Sequence, residues 1–228
     1  MLTTLAEALG GSCFLCRGEA RGVLCASCAA DLPRLPAARC PRCALPSLAG
    51  AVCGRCLAHP PRYDATVAAL AYDFPADALV HALKFRGELA LAGLLGSLLL
   101  EALSPGEMAA ITHVVPVPLS RQRLRERGFN QAVEIARLLA RRAGRPLELE
   151  LLERLRDTPA QFELPWAERQ RNVRGAFASG RALLGARVAV VDDVMTTGAT
   201  LDEIAGVLKA AGAERVSNWV VARTLPPH

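Results

Sequence analysis

Eight cysteines constrain this chain more than any other feature. They form four Cys-x-x-Cys units, Cys13/Cys16, Cys25/Cys28, Cys40/Cys43 and Cys53/Cys56, and no cysteine lies outside them. Two thiolates separated by two residues can grip one tetrahedral metal from a tight turn, and two such turns close a four-sulfur shell. The intervals between units, 8, 11 and 9 residues, suit two zinc ribbons in series. The simplest pairing puts Cys13, Cys16, Cys25 and Cys28 on one Zn²⁺ and Cys40, Cys43, Cys53 and Cys56 on a second. Spacing alone leaves an interleaved pairing open. A closed four-cysteine shell has no position for a substrate, so the expected role is structural. Residues 1–60 carry few large apolar side chains, and metal is expected to supply folding free energy that a core there cannot. A redox Cys-x-x-Cys would instead sit once in a βαβ context.

The zinc reading changes what the charge means. The formal net charge is +5. Eight thiolates holding two Zn²⁺ add −4 and leave +1, so partners are sought in local basic runs. Residues Met1 to Gly11 lack the basic start and long apolar core of a signal peptide. The most apolar stretch, Leu89 to Leu103, is shorter than the roughly 20 residues of a bilayer span and contains Glu101. The expectation is a cytoplasmic protein with no membrane segment, where a disulfide framework is disfavoured.

A proline-rich joint, His59-Pro60-Pro61-Arg62, marks the expected boundary between a module at 1–60 and a domain at 61–228. Strands are expected at Ala65–Tyr72, Thr112–Val117, Arg187–Val191 and Arg215–Ala222. Helices are expected at Pro75–Lys84, Glu88–Leu103, Asn130–Arg142 and Ala199–Ala211. Residues 150–176 are polar and arginine-rich with no clean period. Apolar residues make up 52% of the chain and aromatics only 4%, a composition that suits helices on a buried parallel sheet. The alternation of strand and helix predicts the same α/β architecture.

One segment concentrates chemistry. Residues 188–200 read Val-Ala-Val-Val-Asp-Asp-Val-Met-Thr-Thr-Gly-Ala-Thr. This is a buried strand, two adjacent carboxylates, and a loop of small residues opening a helix. Ligands of open α/β sheets bind at that edge. Thr196, Thr197, Gly198, Ala199 and Thr200 offer N–H groups and hydroxyls around a phosphate at a helix start. Asp192 and Asp193 stand where vicinal ribose hydroxyls need acceptors. The segment is not a Walker loop, because no Gly-Lys-Ser/Thr follows. Its bland reading is a turn whose Asp and Thr merely cap a helix.

This segment resembles the ribose-phosphate motif of type I phosphoribosyltransferases, which bind 5-phosphoribosyl-1-pyrophosphate (PRPP) with Mg²⁺. The whole chain resembles the ComF, or competence protein F, family: a double zinc ribbon fused to such a domain. The likeness includes His81-Ala-Leu-Lys-Phe-Arg-Gly87, Val115-Pro-Val-Pro-Leu119 and Arg123-Leu-Arg-Glu-Arg-Gly-Phe-Asn-Gln131. It continues through Arg154, Arg156, Thr158, Gln161, Leu164, Arg169 and Asn172. Glu163 and Pro165 depart from the small residues expected there. The resemblance implies a type I phosphoribosyltransferase-like fold, with a mostly parallel sheet flanked by helices. It assigns Asp192 and Asp193 to the ribose hydroxyls, Thr196–Thr200 to the 5′-phosphate, and Pro118, Leu119 and Ser120 to the pyrophosphate loop. Arg154, Arg156, Gln161, Arg169 and Asn172 fall in the loop that covers the site.

Three cations are candidates for a catalytic part: Lys84, Arg123 and Arg127. With 25 Arg to 2 Lys, a lysine beside Phe85 suggests a site that wants a compact point charge. The run Arg121, Arg123, Arg125 and Arg127 reads as a phosphate clamp or as a solvated helix start. His81 reads as a packing residue. Trp166 and Phe162, among Arg169, Arg171 and Arg174, either stack single-stranded bases or anchor a loop. The family implies a PRPP-binding protein acting in DNA uptake or DNA utilisation, with single-stranded DNA or a competence DNA helicase as partner. A true phosphoribosyltransferase with an unknown acceptor and a zinc-dependent adaptor are the alternatives. Only Arg223 to His228 follow the last strand, too few to build a nucleobase hood, so any acceptor pocket is expected from residues 60–110 or the zinc module.

Overall fold

A computed structural model describes residues 11–156 and 173–226. The chain opens with two ribbons that use the same turn. In the first, β1 (Gly11–Ser12) pairs with β2 (Glu19–Ala20), and helix α1 (Ala26–Ala30) follows. In the second, a 3₁₀ turn at Leu48–Gly50 precedes α2 (Gly54–Ala58). Arg17 N–H donates to Cys13 O at 2.9 Å and Ala44 N–H to Cys40 O at 2.9 Å. Both turn residues have positive φ, 65° and 58°, which non-glycine residues rarely adopt. Cys25 and Cys53 then cap α1 and α2, so each ribbon presents its second cysteine pair from a helix start. These equivalences at intervals of 27 or 28 residues make the ribbons structural repeats.

The larger body is a four-stranded parallel sheet with order β3-β8-β7-β4. In chain order its elements are β3 (Ala65–Ala71), α3 (Ala76–Arg86), α4 (Ala90–Ala102), α5 (Pro105–Ala109), β4 (His113–Pro116), α6 (Arg121–Arg127) and α7 (Gln131–Ala143). A small antiparallel hairpin follows, β5 (Leu152–Arg154) with β6 (Phe177–Ser179), then β7 (Arg187–Met195), α8 (Ala199–Ala210) and β8 (Arg215–Arg223). All three ladders of the main sheet are parallel. This is the mostly parallel, helix-flanked fold that the alternation of elements predicts.

Both faces of the sheet are buried, which explains its continuous apolar strands. On one face Val67, Ala69, Val114, Ala189, Val191 and Trp219 meet α3, α4 and α7. On the other, Ala68, Val115, Val188, Val190 and Val220 meet Leu201, Ile204, Ala205 and Leu208 of α8. The apolar helix α4 is thus a core helix, and no helix among the described residues is long and apolar enough to cross a membrane.

The ribbons are built into this core. Phe14, Leu15, Val23 and Leu24 of the first pack beside α3 and α4, while Cys40, Cys43, Ala44 and Cys56 of the second belong to the α8 side. The outer edge of β3 is also paired. Ala71 N–H donates to Pro33 O at 2.7 Å and Thr66 N–H to Pro41 O at 3.0 Å. An edge strand that would otherwise offer unpaired groups is covered in this way. The joint residue Arg62 grips the first turn of α8, bonding Asp202 at 3.0 Å and Glu203 at 2.7 Å.

Candidate functional site

The eight cysteines meet a geometric test for zinc. Cys13, Cys16, Cys25 and Cys28 form one group and Cys40, Cys43, Cys53 and Cys56 another, all sulfurs in each within 4.8 Å of one another. Cys16 and Cys25 sulfurs lie 3.7 Å apart and Cys43 and Cys53 sulfurs 3.6 Å apart. A tetrahedron with Zn–S bonds of about 2.3 Å has edges of about 3.8 Å, whereas a disulfide needs about 2.05 Å. The pairing is sequential, which spacing left open. The second group is mostly buried and the first more exposed.

The second site lies at the carboxyl edge of the sheet, where strands end and loops diverge. Strand β7 runs past Val191 to Met195, longer than its apolar run suggests, because Asp192 and Val194 keep parallel register with Val220 and Ala222. The acid pair is therefore held by a strand. Asp193 is buried, and its Oδ2 lies 2.7 Å from Lys84 Nζ of α3. This is an ion pair by distance, although the approach falls outside hydrogen-bond geometry. The other oxygen of Asp193 accepts from Val194 N–H at 2.7 Å, and Asp192 accepts from Asp193 N–H at 2.9 Å. Burial, then the neighbouring Asp193 charge, pushes the Asp192 carboxyl up to about 8, against the downward pull of Lys84.

After Met195 the chain turns through Thr196, Thr197 and Gly198 into α8. Gly198 has φ +86°, and a Cβ there would lie 2.7 Å from Met195 Cε and 3.1 Å from Tyr63 Oη. Only glycine fits on both counts. Thr197 is buried and accepts from Ala199 N–H at 3.2 Å, so one N–H expected to face a ligand is used inside the loop. Thr200 follows in the first turn of α8.

The other predicted residues fall around this edge. Pro118 and Leu119 are partly buried after β4, and the buried Ser120 caps α6 by accepting from Arg123 N–H at 3.3 Å. Helix α6 brings Arg123 and Arg127 to Lys84. The three line one cavity of about 180 Å³ with Phe85, Gly87, Glu126 and Phe129. Arg127 lies over the Phe85 ring at 5.3 Å, and burial lowers its pKa. His81 is exposed and its ring lies against Phe85, centroids 4.6 Å apart. Arg154 lies over Phe177 at 5.5 Å, and Arg156 bonds Arg174 O across the hairpin base. Gln161, Phe162, Trp166, Arg169, Arg171 and Asn172 lie outside the described residues.

Three features escaped the sequence reading. One is the hairpin β5–β6, which brackets residues 157–172. Another is Gly175, whose N–H reaches Glu203 at 2.7 Å and ties that hairpin to α8. The third is Arg223, 1% exposed at the end of β8. Its signal was present, a single charge closing the apolar run Trp219-Val-Val-Ala-Arg223.

Comparison with known proteins agrees with this arrangement. A family model described as "Double zinc ribbon domain" matches residues 7–57. "DNA utilization protein YhgH" of Salmonella typhimurium is 36% identical over 223 residues, covering 94% of this chain and 98% of that protein. "Competence protein F" of Haemophilus influenzae is 32% identical over 222 residues, covering 92% and 96%. Part of a glutamine PRPP amidotransferase from B. subtilis, solved with ADP and GMP, aligns over 57% of this chain and 25% of that one. The pair is 27% identical with a TM-score of 0.38, too loose a likeness to carry a conclusion. The two full-length relatives decide the matter: the chain belongs to the competence protein F (ComF) family.

Proposed function

We propose that this chain binds PRPP, as its Mg²⁺ complex, at the carboxyl edge of the sheet and serves DNA uptake or utilisation in the cytoplasm. In this reading residues 61–228 form the ribose-phosphate domain and residues 1–60 a zinc module. The observation that carries it is the juxtaposition of a strand-held acid pair, Asp192 and Asp193, with the loop through Gly198 at the start of α8. Two carboxylates can accept hydrogen bonds from vicinal hydroxyls, and a tight turn into a helix suits a monophosphate. Pro118, Leu119 and Ser120, with the nearby arginines of α6, border the place where a pyrophosphate would lie. Arg154 and Arg156 sit at the hairpin base, and in this reading Gln161, Arg169 and Asn172 close over the ligand, excluding water as transfer chemistry requires. The Mg²⁺ arrives with the ligand as its counter-charge. The names of the relatives, DNA utilization protein and competence protein F, support placing this activity in DNA uptake, with single-stranded DNA or a DNA helicase as partner.

Titration calorimetry with PRPP and Mg²⁺ tests the proposal. Asp192→Asn and Asp193→Asn should each weaken binding by about 1.5–3 kcal/mol per lost charged hydrogen bond. Unchanged affinity in both, with a large fall in melting temperature, would assign the acids a structural part alone.

One observation favours turnover. The cavity of about 180 Å³ opens beside the Lys84–Asp193 pair and brings together all three catalytic candidates, Lys84, Arg123 and Arg127. It arises from α3 and α6. A phosphoribosyltransferase acting on a small acceptor would release pyrophosphate on mixing with PRPP and that acceptor. Screening bases and amines for pyrophosphate release checks this second reading.

A further inference from the structure

The turn between β7 and α8 is held from outside, by two arginines. Arg223 is buried, and its guanidinium donates to four backbone carbonyls. Its Nε donates to Cys43 O at 2.8 Å, and its Nη1 donates to Met195 O at 2.9 Å, to Thr224 O at 2.8 Å, and to Thr196 O. Arg55, between Cys53 and Cys56 in α2, donates to Thr197 O at 3.1 Å. Three consecutive carbonyls of the turn, at 195, 196 and 197, are thereby fixed by side chains. Buried carbonyls need partners, and a buried guanidinium persists only where several acceptors surround it.

Both arginines depend on the second cysteine group. Cys43 O belongs to the knuckle that begins at Cys40, and Arg55 is carried by a helix bearing two of the four sulfurs. A metal bound by the four sulfurs would tie this knuckle to α2 and add its binding free energy to that of the fold. The first group has another neighbourhood, where Arg86 of α3 lies over Phe14 at 5.2 Å.

We propose that the zinc site of Cys40, Cys43, Cys53 and Cys56 is a positioning element for the Met195–Gly198 turn. Arg223 and Arg55 transmit its state. Where that turn holds a ribose-phosphate, the part that rests on the function proposed above, zinc retention at this site and ligand binding are coupled. Coupling of this kind is reciprocal in affinity, so the ligand tightens binding of the second zinc and leaves the first alone.

Hydrogen exchange of the 195–200 peptide in ligand-free protein is the primary test. Metal analysis should give two zinc ions per chain, and one each for Cys16→Ser and Cys53→Ser. Exchange should quicken at least about fivefold, the lower end of ordinary coupling, in Cys53→Ser and stay unchanged in Cys16→Ser. Arg55→Ala guards against misfolding of the cysteine variant. It should keep both zinc ions and still quicken exchange, and Arg55→Lys should recover part of the protection. Unchanged exchange in both Cys53→Ser and Arg55→Ala overturns the proposal. With PRPP and Mg²⁺, equilibrium competition with a zinc-selective chelator should then need more chelator to remove one of the two ions. Calorimetric binding of PRPP without that shift overturns the coupling. If PRPP fails to bind while the exchange response persists, the ribose-phosphate reading falls and zinc-dependent positioning of the turn stands.

Discussion

Lys84 Nζ of α3 stands 2.7 Å from Asp193 Oδ2 of β7, a lysine with a side chain 20% exposed against a carboxylate 4% exposed. The pair joins two elements 109 residues apart in sequence and sets the charge of the sheet edge. Lys84→Met should destabilise the protein by about 1.5–3 kcal/mol in urea titration at neutral pH, the cost of leaving a charged partner unmatched. Arg127 also acts on Asp193 and softens the loss. The double variant Lys84→Met/Asp193→Asn should cost less than the sum of the singles, since removing both partners leaves no orphaned charge. Strict additivity would mean that the pair contributes nothing.

Asp192 makes stability depend on pH in an unusual direction. Its carboxyl is raised from 3.8 to about 8 in the folded chain, chiefly by burial and then by Asp193. Between those values the folded state binds more protons than the unfolded state, so stability falls as pH rises. Ligand-free protein should lose stability from about pH 5 to pH 8 more steeply than Asp192→Asn. Affinity for PRPP should move the opposite way, because hydroxyl donors need the ionised acceptor. The wild-type minus Asp192→Asn difference removes the titration of the ligand phosphate from both measurements.

Gly198 and Gly87 separate conformational strain from crowding. Both have positive φ, +86° and +67°, but a Cβ at 87 meets nothing within 4 Å while one at 198 meets Met195 and Tyr63. Gly87→Ala should cost about 1–2 kcal/mol, the penalty of the left-handed region alone. Gly198→Ala should cost more in thermal melts and should also weaken PRPP binding, because it forces apart the turn and the Tyr63 ring. Equal costs at the two positions would place no close packing at the turn.

The same residues show how far sequence could be read. The parallel core was legible because its strands and α4 are continuous apolar runs and α7 carries a 3.6-residue stripe. Strand β7 outlasts its apolar run because ladder bonds follow register and not side-chain polarity, as Asp192 opposite Val220 shows. The hairpin β5–β6 is three residues a side, too short for a period to emerge. The docking of the second ribbon onto the turn passes through the carbonyls of Cys43, Met195, Thr196 and Thr197, and a carbonyl has the same identity in every residue. Its two side chains, Arg55 between Cys53 and Cys56 and Arg223 closing an apolar run, are the only marks that contact leaves in the sequence.

Contact with DNA should be carried by part of the α6 arginine run. Arg121 is 84% exposed in its side chain and meets Glu153 at 3.3 Å, and Arg125 is also exposed. Arg127 is committed to Phe85 and Gln131. The corrected net charge is near +1, so single-strand affinity must come from such local clusters. If three or four phosphates are contacted, log affinity should fall against log salt with a slope of about −2 to −3, about −0.7 per contact. Arg121→Ala and Arg125→Ala should each make that slope shallower by about 0.7, with little change in stability because both side chains face water. Trp166→Ala should instead cost about 1–3 kcal/mol at constant slope, since stacking releases no counterions. PRPP should compete with the strand if both use the α6 arginines. Binding that does not respond to salt, or no binding at low salt, would move the link with DNA to a protein partner.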